Sequence, residues 1–401
     1  MHIDLVSPAS FSAGHPFAQY AWLRANDPVY WHAEVDGPGF WVITRYADVF
    51  AIGHDAQRFS SQPTVMIDDP PADSPTLGDP DNPRQMMLMM DPPLHTSYRK
   101  LISREFMPGS AAALVPRLQE LAKQIIDAVI ERGECDFVAD IAGEMPSLVI
   151  AELMGLPLAD GRKLYELTEI IHTSEEVLPE GAQTQAIMSM FGYAQRVFEA
   201  KSATPGTDLA SQLIQAEVDG QRLDLLDFQL FFMLLVDAGG DTTRNLLAGG
   251  VLALLQHPEQ LAALREDPLL IPAARDELLR WVSPVTYMRR TATEDVELGG
   301  KSIKAGDKVI MYFGSANRDA AEFEDPDRFD IYRKPVRHLA FGHGTHVCLG
   351  QHIARAEIDA MLTEVITRLD ELAIAAAPVW LPSNFISGPQ RMPVRFQPRT
   401  Q

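Results

Sequence analysis

A glycine-rich loop around one cysteine, near the end of the chain, constrains this 401-residue sequence most. Residues Phe341-Gly342-His343-Gly344-Thr345-His346-Val347-Cys348-Leu349-Gly350 precede a segment with apolar residues at three- and four-residue steps, which predicts an amphipathic helix. A helix N-terminus presents free N–H groups and partial positive charge, which lower the pKa of a cysteine. The glycines at 344 and 350 let the backbone approach a large flat cofactor. The loop therefore predicts a thiolate at Cys348 beside such a cofactor.

Taken alone, the loop also fits two other interpretations. A buried structural cysteine on a turn is the commoner outcome for any one cysteine. A zinc site is compatible as well, since His343, His346, Cys348 and His352 are zinc-ligand types within one short segment, although their spacing departs from paired-ligand motifs. Cys135 has no glycine loop around it, and we interpret it as structural.

A long helix is predicted from Asp224 to Gln256, with Asp224 as its N-cap and an apolar, buried middle. Gly239 and Gly240 interrupt it. Each costs about 1 kcal/mol relative to alanine inside a helix, so we expect either close helix packing or a local opening over a flat ligand. Asp241 and Thr242 follow, a carboxylate and a hydroxyl that can hold and pass a proton.

The remaining pattern is mostly helical, above all from Pro108 to about Leu279. Residues 29–35 and 40–44 alternate around a turn at Asp36-Gly37 and predict a β-hairpin. Residues 61–85 are rich in Pro, Asp and Ser and predict a long surface loop. No repeat, low-complexity tract or linker divides the sequence. We expect a mainly α fold with small β-sheets, in a single domain that covers residues 1–401.

Composition limits the class of protein. The formal net charge of −21 disfavours binding of nucleic acid or an anionic membrane over the whole surface. Two cysteines make no disulfide framework and favour a reducing cytoplasm. The N-terminus lacks a basic segment followed by an apolar run, and no apolar stretch approaches the roughly 18 residues of a transmembrane helix. We expect a soluble, cytoplasmic protein without a membrane anchor.

The cysteine loop resembles the Phe-x-x-Gly-x-x-x-Cys-x-Gly signature of the cytochrome P450 family, at Phe341, Gly344, Cys348 and Gly350. The resemblance extends over essentially the whole chain. It implies the P450 fold of soluble bacterial members, with haem b between the long distal helix and the helix that follows the cysteine. It also implies that Cys348 is the iron ligand, whose electron density favours cleavage of dioxygen.

The long helix resembles the distal motif of that family, Ala-Gly-x-Asp/Glu-Thr-Thr, from Ala238 to Thr243. The resemblance implies that Ala238 contacts the haem. It also implies that Asp241 and Thr242 are the acid and the alcohol of an oxygen-activating relay, in which the hydroxyl holds a water and the carboxylate supplies protons from solvent.

Glu277 and Arg280 lie at i and i+3 of a predicted helix, where pairing is common and carries little information by itself. Their position resembles the Glu-x-x-Arg motif of the family. The resemblance implies a third member from the later Pro-rich segment, at Arg328. We therefore predict a buried network of Glu277, Arg280 and Arg328 that fixes the wall on the cysteine side.

Four basic side chains match family positions that meet the two haem propionates, whose negative charges need partners when buried. His95 and Arg99 are four residues apart, hence on one face of a helix predicted after residues 91–93. Arg290 opens a predicted strand, and His346 lies two residues before the cysteine. Each alone is also compatible with a solvated surface group.

The resemblance places a substrate pocket in segments that are apolar and rich in methionine, as suits a flexible hydrophobic site, although core packing explains each segment equally well. Residues 40–46 and 384–388 resemble members that oxidise steroids, terpenoids and branched lipids. The candidate lining residues are Met66, Met86, Met90, Leu234, Ala238, Val285, Met288 and Ile386.

No complete Gly-x-Gly-x-x-Gly fingerprint occurs, so we expect electrons from separate proteins, which the resemblance implies are a ferredoxin and a ferredoxin reductase. The leading hypothesis is a monomeric enzyme that hydroxylates an apolar small molecule with dioxygen and two electrons. A peroxide-driven oxygenase on the same fold is disfavoured by Asp241 and Thr242, and a non-catalytic haem- or zinc-binding protein is a third hypothesis. The candidate basic docking residues are Lys100, Arg104, Arg333, Lys334, Arg337 and Arg355.

Overall fold

The computed structural model describes residues 1–35, 37–69, 78–79, 82–83, 85–218 and 220–399, with backbone alone for 78–79 and 82–83. Asp36 of the predicted hairpin turn and part of the predicted loop 61–85 lie outside these residues. The α-helices in this part of the chain are α1 Phe17–Asn26, α2 Tyr46–His54, α3 Leu94–Ser103, α4 Pro108–Val129, α5 Glu144–Leu153, α6 Leu158–His172, α7 Ala182–Ala203, α8 Leu209–Gln215, α9 Leu225–Gln256, α10 Pro258–Glu266, α11 Ile271–Val282, α12 Phe313–Ala316 and α13 Gln351–Arg368.

The strands are short, and most form sheets of two or three. One sheet of five strands has the order β1 (Val29–His32), β2 (Phe40–Ile43), β12 (Lys308–Tyr312), β9 (Tyr287–Ala292) and β3 (Phe59–Ser60), and one of three has the order β13 (Leu369–Ile374), β16 (Pro393–Pro398) and β6 (Glu134–Asp136). The predicted mainly α fold with small sheets is thus confirmed. The strands are β1 Val29–His32, β2 Phe40–Ile43, β3 Phe59–Ser60, β4 Gly78–Asp79, β5 Asn82–Pro83, β6 Glu134–Asp136, β7 Glu217–Val218, β8 Gln221–Arg222, β9 Tyr287–Ala292, β10 Val296–Leu298, β11 Lys301–Ile303, β12 Lys308–Tyr312, β13 Leu369–Ile374, β14 Val379–Trp380, β15 Pro389–Arg391 and β16 Pro393–Pro398.

The predicted hairpin is present: β1 pairs antiparallel with β2, and Trp31 lies opposite Trp41. The aromatic and β-branched side chains of these strands pack into the five-stranded sheet, where β12 adds to β2 in parallel and β9 adds to β12 antiparallel. This sheet carries Arg290 on β9, in register with Val309 of β12. The sheet therefore fixes where one predicted propionate ligand lies.

Helix α9 runs through the core, in contact with α5, α6, α7, α11 and α13. A capping box at its start joins Asp224 and Asp227, each side chain accepting from the other's backbone N–H. The helix is continuous through Gly239 and Gly240, so the backbone shows no local opening. A Cβ on Gly240 would lie 3.8 Å from Oγ1 of Thr168 on α6. That distance is an ordinary van der Waals contact, so packing against α6 does not require a glycine at this position.

No single helix in the described part of the chain is both long and apolar enough to cross a membrane. One bent pair of segments, 138–153 and 158–172, meets the length and composition criteria together.

Candidate active site

The cysteine loop folds back on itself immediately before α13. The backbone N–H of Cys348 donates to the carbonyl of Phe341 over 2.8 Å, and Gly350 is the N-cap of α13. Burial raises the pKa of the Cys348 thiol, while the N–H groups of Gly350 and Gln351 and the charges of Arg99 and Arg355 act to lower it. The expected lowering of this pKa is therefore wrong for the polypeptide alone, because burial outweighs the helix terminus.

The two signature glycines, Gly344 and Gly350, differ in the space around them. Gly344 has φ +75°, and a Cβ there would lie 2.0 Å from the carbonyl oxygen of Gly53 on α2. It is required by the close approach of α2, which the sequence did not predict, and its contact with a cofactor stays a prediction. A Cβ on Gly350 would meet no atom within 4 Å, which leaves open space beside the cysteine.

The four ligand types of the rival zinc site do not converge. His343 stacks on Phe50 of α2 at 3.7 Å between ring centroids, and His346 lies against His95 at 4.0 Å. Among the residues that the structure describes, no three His, Cys, Asp or Glu side chains come together as a metal site. Cys135 is buried in β6, and burial raises its pKa to about 12, as suits a structural thiol.

The four predicted propionate groups come together beside the cysteine loop. Arg99 donates to the carbonyl of Val347 over 2.7 Å, next to Cys348. Burial and the charges of Arg99 and Arg290 lower the pKa of His95 to about 4. Burial, Arg290, His95 and Arg99 together lower that of His346 to about 2.

The side chains of this cluster are buried (His95 and Arg290) or half-buried (Arg99 and His346), and together they carry excess positive charge. Arg290 is 5% exposed, and burial lowers its pKa to about 10, with Asp91 acting in the opposite direction. His346 contacts the Ser61 hydroxyl through Nε2 at 3.1 Å. Two guanidinium groups and two imidazoles in a partly dehydrated site form a donor set suited to carboxylates.

On α9, Thr242 donates its hydroxyl to the carbonyl of Ala238 over 2.9 Å, so the oxygen keeps lone pairs free to accept. Ala238 and Gly239 are exposed, although the helix around them is buried. Asp241 is fully buried. The Thr242 hydroxyl thus lies beside the exposed part of α9, whereas the Asp241 carboxylate is enclosed in the protein interior.

Sequence reasoning missed the partners of Asp241. His172, at the end of α6, contacts Asp241 through Nδ1 and Asp237 through Nε2, the latter at 3.2 Å. Burial lowers the pKa of His172, but Asp237 and Asp241 outweigh it and raise that pKa to about 10. Arg244 lies 3.3 Å from the second oxygen of Asp241. Although burial raises the pKa of Asp241, Arg244 and His172 hold it below its usual range.

Helix α6 supplies most of the side chains around Asp241 and Arg244. Arg244 is fully buried, contacts the Tyr165 hydroxyl, and lies 3.6 Å from Glu169. One sequence feature could have indicated these partners. Asp237 and Asp241 lie four residues apart in a mainly apolar stretch of helix, and buried charges need partners of opposite charge. The sequence could not identify His172, because it does not show which helix packs there.

The predicted Glu277 network is present with one correction. Arg280 donates from Nε and Nη2 to the two carboxylate oxygens of Glu277, each over 2.7 Å, and both side chains are fully buried. The third member is Arg333, with Nε 3.2 Å from Glu277. The prediction of Arg328 is wrong: its guanidinium pairs with Asp330 at the surface, and only its backbone carbonyl reaches the network.

The predicted pocket residues fall into separate groups. Val285 forms a β-bridge with Ile386, and Met288 lies nearby on β9. Met90 and Leu234 belong to the large helical core, against which Met86 packs. The Met66 carbonyl accepts from Arg289 of β9. Ala238 is exposed on α9. These contacts bring some of the candidate residues together in pairs. That all of them line one pocket stays a prediction.

Comparisons with known proteins bear on this geometry. The family model described as Cytochrome P450 matches residues 179–375. A steroid C26-monooxygenase of Mycolicibacterium smegmatis is 38% identical, over 99% of this chain and 96% of its own. A linalool 8-monooxygenase of Pseudomonas putida is 33% identical over 99% of both. A Mycobacterium marinum cytochrome P450 in complex with pseudoionone is similar in structure, with a TM-score of 0.90 and 35% identity over 99% of both chains.

Proposed function

Because this chain belongs to the cytochrome P450 family of haem-dependent, oxygen-incorporating oxidoreductases, we propose that it is a monooxygenase with Cys348 as the iron ligand of haem b. In this proposal residues 1–401 form one haem domain that hydroxylates an apolar small molecule. The observation that carries it is the convergence of two guanidinium groups, Arg99 and Arg290, and two imidazoles, His95 and His346, beside the loop of Cys348.

The residues present fit a haem. Arg290 and His95, which are buried, and Arg99 and His346, which are half-buried, are donors that would hold two propionates, since a carboxylate offsets the desolvation of each cation. Gly350 has no side chain, and a Cβ there would meet no other atom within 4 Å, so this residue would not obstruct a macrocycle beside the cysteine. Coordination to iron would remove the thiol proton against the upward pull of burial. When bound, the haem supplies the iron that binds and activates dioxygen.

On the distal side, Thr242 and Asp241 would handle protons. The Thr242 hydroxyl is fixed by the carbonyl of Ala238, so its oxygen is oriented to accept from a water. Asp241 is held ionised by His172 and Arg244, and as a carboxylate it can take a proton from solvent and pass it on.

The reduced carbon monoxide difference spectrum tests the proposal. We expect a Soret band at the haem-thiolate position in the wild type and its loss in Cys348→Ser, while Cys135→Ser keeps it as a matched control. A colourless wild-type protein would refute the proposal. Turnover with hydrogen peroxide alone, without electron donors, would instead support a peroxide-driven oxygenase.

The proposed substrate class is a terpenoid, steroid or branched lipid. Support comes from the apolar side chains around Val285, Ile386 and Leu234, and from relatives named for a steroid and for linalool. A screen for substrate-induced spin-state shifts across steroids, terpenes and branched fatty acids tests it. A response confined to polar compounds would contradict it.

We propose that the electrons come from a ferredoxin and its reductase. Of the six candidate docking cations, Lys100, Arg104, Lys334 and Arg337 are exposed, whereas Arg333 and Arg355 are held by buried or half-buried carboxylates. An acidic ferredoxin would then meet four exposed cations, so its reduction of the enzyme should slow as ionic strength rises. Insensitivity to salt would refute this docking surface.

A further inference from the structure

Arg355 lies on α13, between the ring of Phe341 and a carboxylate. Its guanidinium carbon is 4.5 Å from the Phe341 ring centroid, and its Nε is 3.4 Å from Oδ1 of Asp276 on α11. The side chain is 26% exposed. Phe341 in turn accepts the backbone N–H of Cys348 at its carbonyl. A cation is thus held in a fixed position on the residue that closes the cysteine loop.

Asp276 is the centre of this cluster. Its Oδ1 lies 3.4 Å from Arg275 and 3.9 Å from Nε2 of His338, in addition to Arg355. The His338 ring is 5.6 Å from the Phe341 ring. Although burial raises the pKa of Asp276, His338, Arg275 and Arg355 lower it to about 2, so the carboxylate stays ionised. Arg275 has a second carboxylate, Asp359, at 2.5 Å, and so it is less dependent on Asp276.

The charge of Arg355 lies beside the cysteine loop. Its guanidinium packs on the ring of Phe341, and the carbonyl of Phe341 accepts the backbone N–H of Cys348 over 2.8 Å. Charges and hydrogen bonds around a ligating sulfur tune the potential of its metal. Reduction adds one electron to the metal and its sulfur ligand, so a nearby cation favours the reduced form and a nearby anion favours the oxidised form.

We propose that Arg355 and Asp276 are a positioned charge pair that sets the reduction potential of the Cys348-ligated iron, with Phe341 holding Arg355 in place. The inference rests on the proposed role of Cys348. In this proposal Arg355 and Asp276 act through the cysteine loop, by way of the contact between Arg355 and Phe341. They are positioning residues, so their removal should move the potential more than the fold.

The test is a spectroelectrochemical titration of the purified holoenzyme. Arg355→Gln should disfavour reduction about tenfold, equivalent to a lowering of roughly 59 mV for one electron. Asp276→Asn should shift the potential in the opposite direction, because it removes an anion. Arg355→Lys should restore most of the wild-type value. The control Arg368→Gln, at the far end of α13 with Glu364 and Asp127 as partners, should leave it unchanged.

Opposite shifts for the Arg355 and Asp276 variants support the inference. If the carbon monoxide spectrum shows a thiolate ligand, unchanged potentials in both variants, or shifts in the same direction, overturn the inference. If Arg355→Gln fails to hold haem, the sign of the Asp276→Asn shift decides. A wild-type protein without a thiolate-type spectrum would overturn the proposed function and this inference together, and so the two failures are distinguishable.

Discussion

Two arginines of the segment after α12 make a matched pair for testing the Glu277 network. Arg333 is 10% exposed, lies 3.2 Å from Glu277, and also donates to the backbone carbonyls of Glu324, Asp325 and Arg328. The Arg328 side chain is 65% exposed, and its guanidinium pairs with Asp330. We predict that Arg333→Gln destabilises the holoenzyme and that Arg328→Gln does not.

The expected loss of stability depends on which charge each substitution leaves without a partner. Arg333→Gln removes one cation from a fully buried carboxylate that keeps its bidentate partner Arg280. Breaking a buried pair costs about 3–5 kcal/mol, and the surviving Arg280 places the loss near the lower end, at about 3 kcal/mol. A loss of that size lowers the ratio of folded to unfolded protein by about a hundredfold. The exposed Arg328 pair is screened by solvent and should contribute nothing measurable.

The assay is urea denaturation of both variants, followed by the Soret band and by far-ultraviolet circular dichroism, with the haem-to-protein ratio of each preparation. We expect a lower denaturation midpoint and less haem for Arg333→Gln alone. If Arg328→Gln lost haem to the same extent, or if Arg333→Gln behaved as the wild type, the assignment of Arg333 as the third member would be refuted.

Three further predictions concern the two walls of the site. Thr242→Ala should consume reducing equivalents but release mainly hydrogen peroxide, and an unchanged ratio of product to peroxide would count against Thr242. The pKa of His172 is about 10 in the folded protein against 6.5 in the unfolded chain, so its contribution to the free energy of unfolding is complete below pH 6.5 and is lost as pH rises through 10. The denaturation midpoint of His172→Gln should therefore fall less than that of the wild type over this pH range. Parallel midpoint-against-pH curves for the two proteins would contradict this. Gly344→Ala should destabilise by several kcal/mol, as about 1–2 kcal/mol of left-handed strain adds to the clash with Gly53; Gly306→Ala, with φ +91° and open space, isolates the strain, and equal losses in thermal unfolding would argue against the clash.

Local rules predicted the elements that positioned the site. An aspartate before an apolar run predicted the start of α9 at Asp224, and alternation predicted the hairpin of β1 and β2. The motif at Glu277 and Arg280 predicted a pair three residues apart on one helix face, because helix geometry fixes that distance.

The sequence failed where side-chain direction depends on irregular backbone or on packing between distant helices. Arg328 and Arg333 lie in a segment without periodicity, where Asp325 has a φ of +45°, so no rule indicates which arginine turns inward. The lowered pKa expected for Cys348 considered the helix terminus and omitted burial, which depends on the tertiary fold. The helix is continuous through Gly239 and Gly240, whereas the two glycines in the sequence were equally compatible with a local opening of the backbone.

The same constraint explains both buried acidic centres. Asp241 and Glu277 are each fully buried, and each would be costly if left without cations. Each has one arginine on its own helix, three residues later, and a second cation from another segment: His172 from α6 and Arg333 from the segment after α12. Neither carboxylate can therefore keep its position unless the tertiary packing is complete. Partners outside the motifs themselves thus fix the wall that carries Cys348 and the wall that carries Asp241. We therefore expect substitution of Arg333 or His172 to disturb the site indirectly, through Glu277 or Asp241.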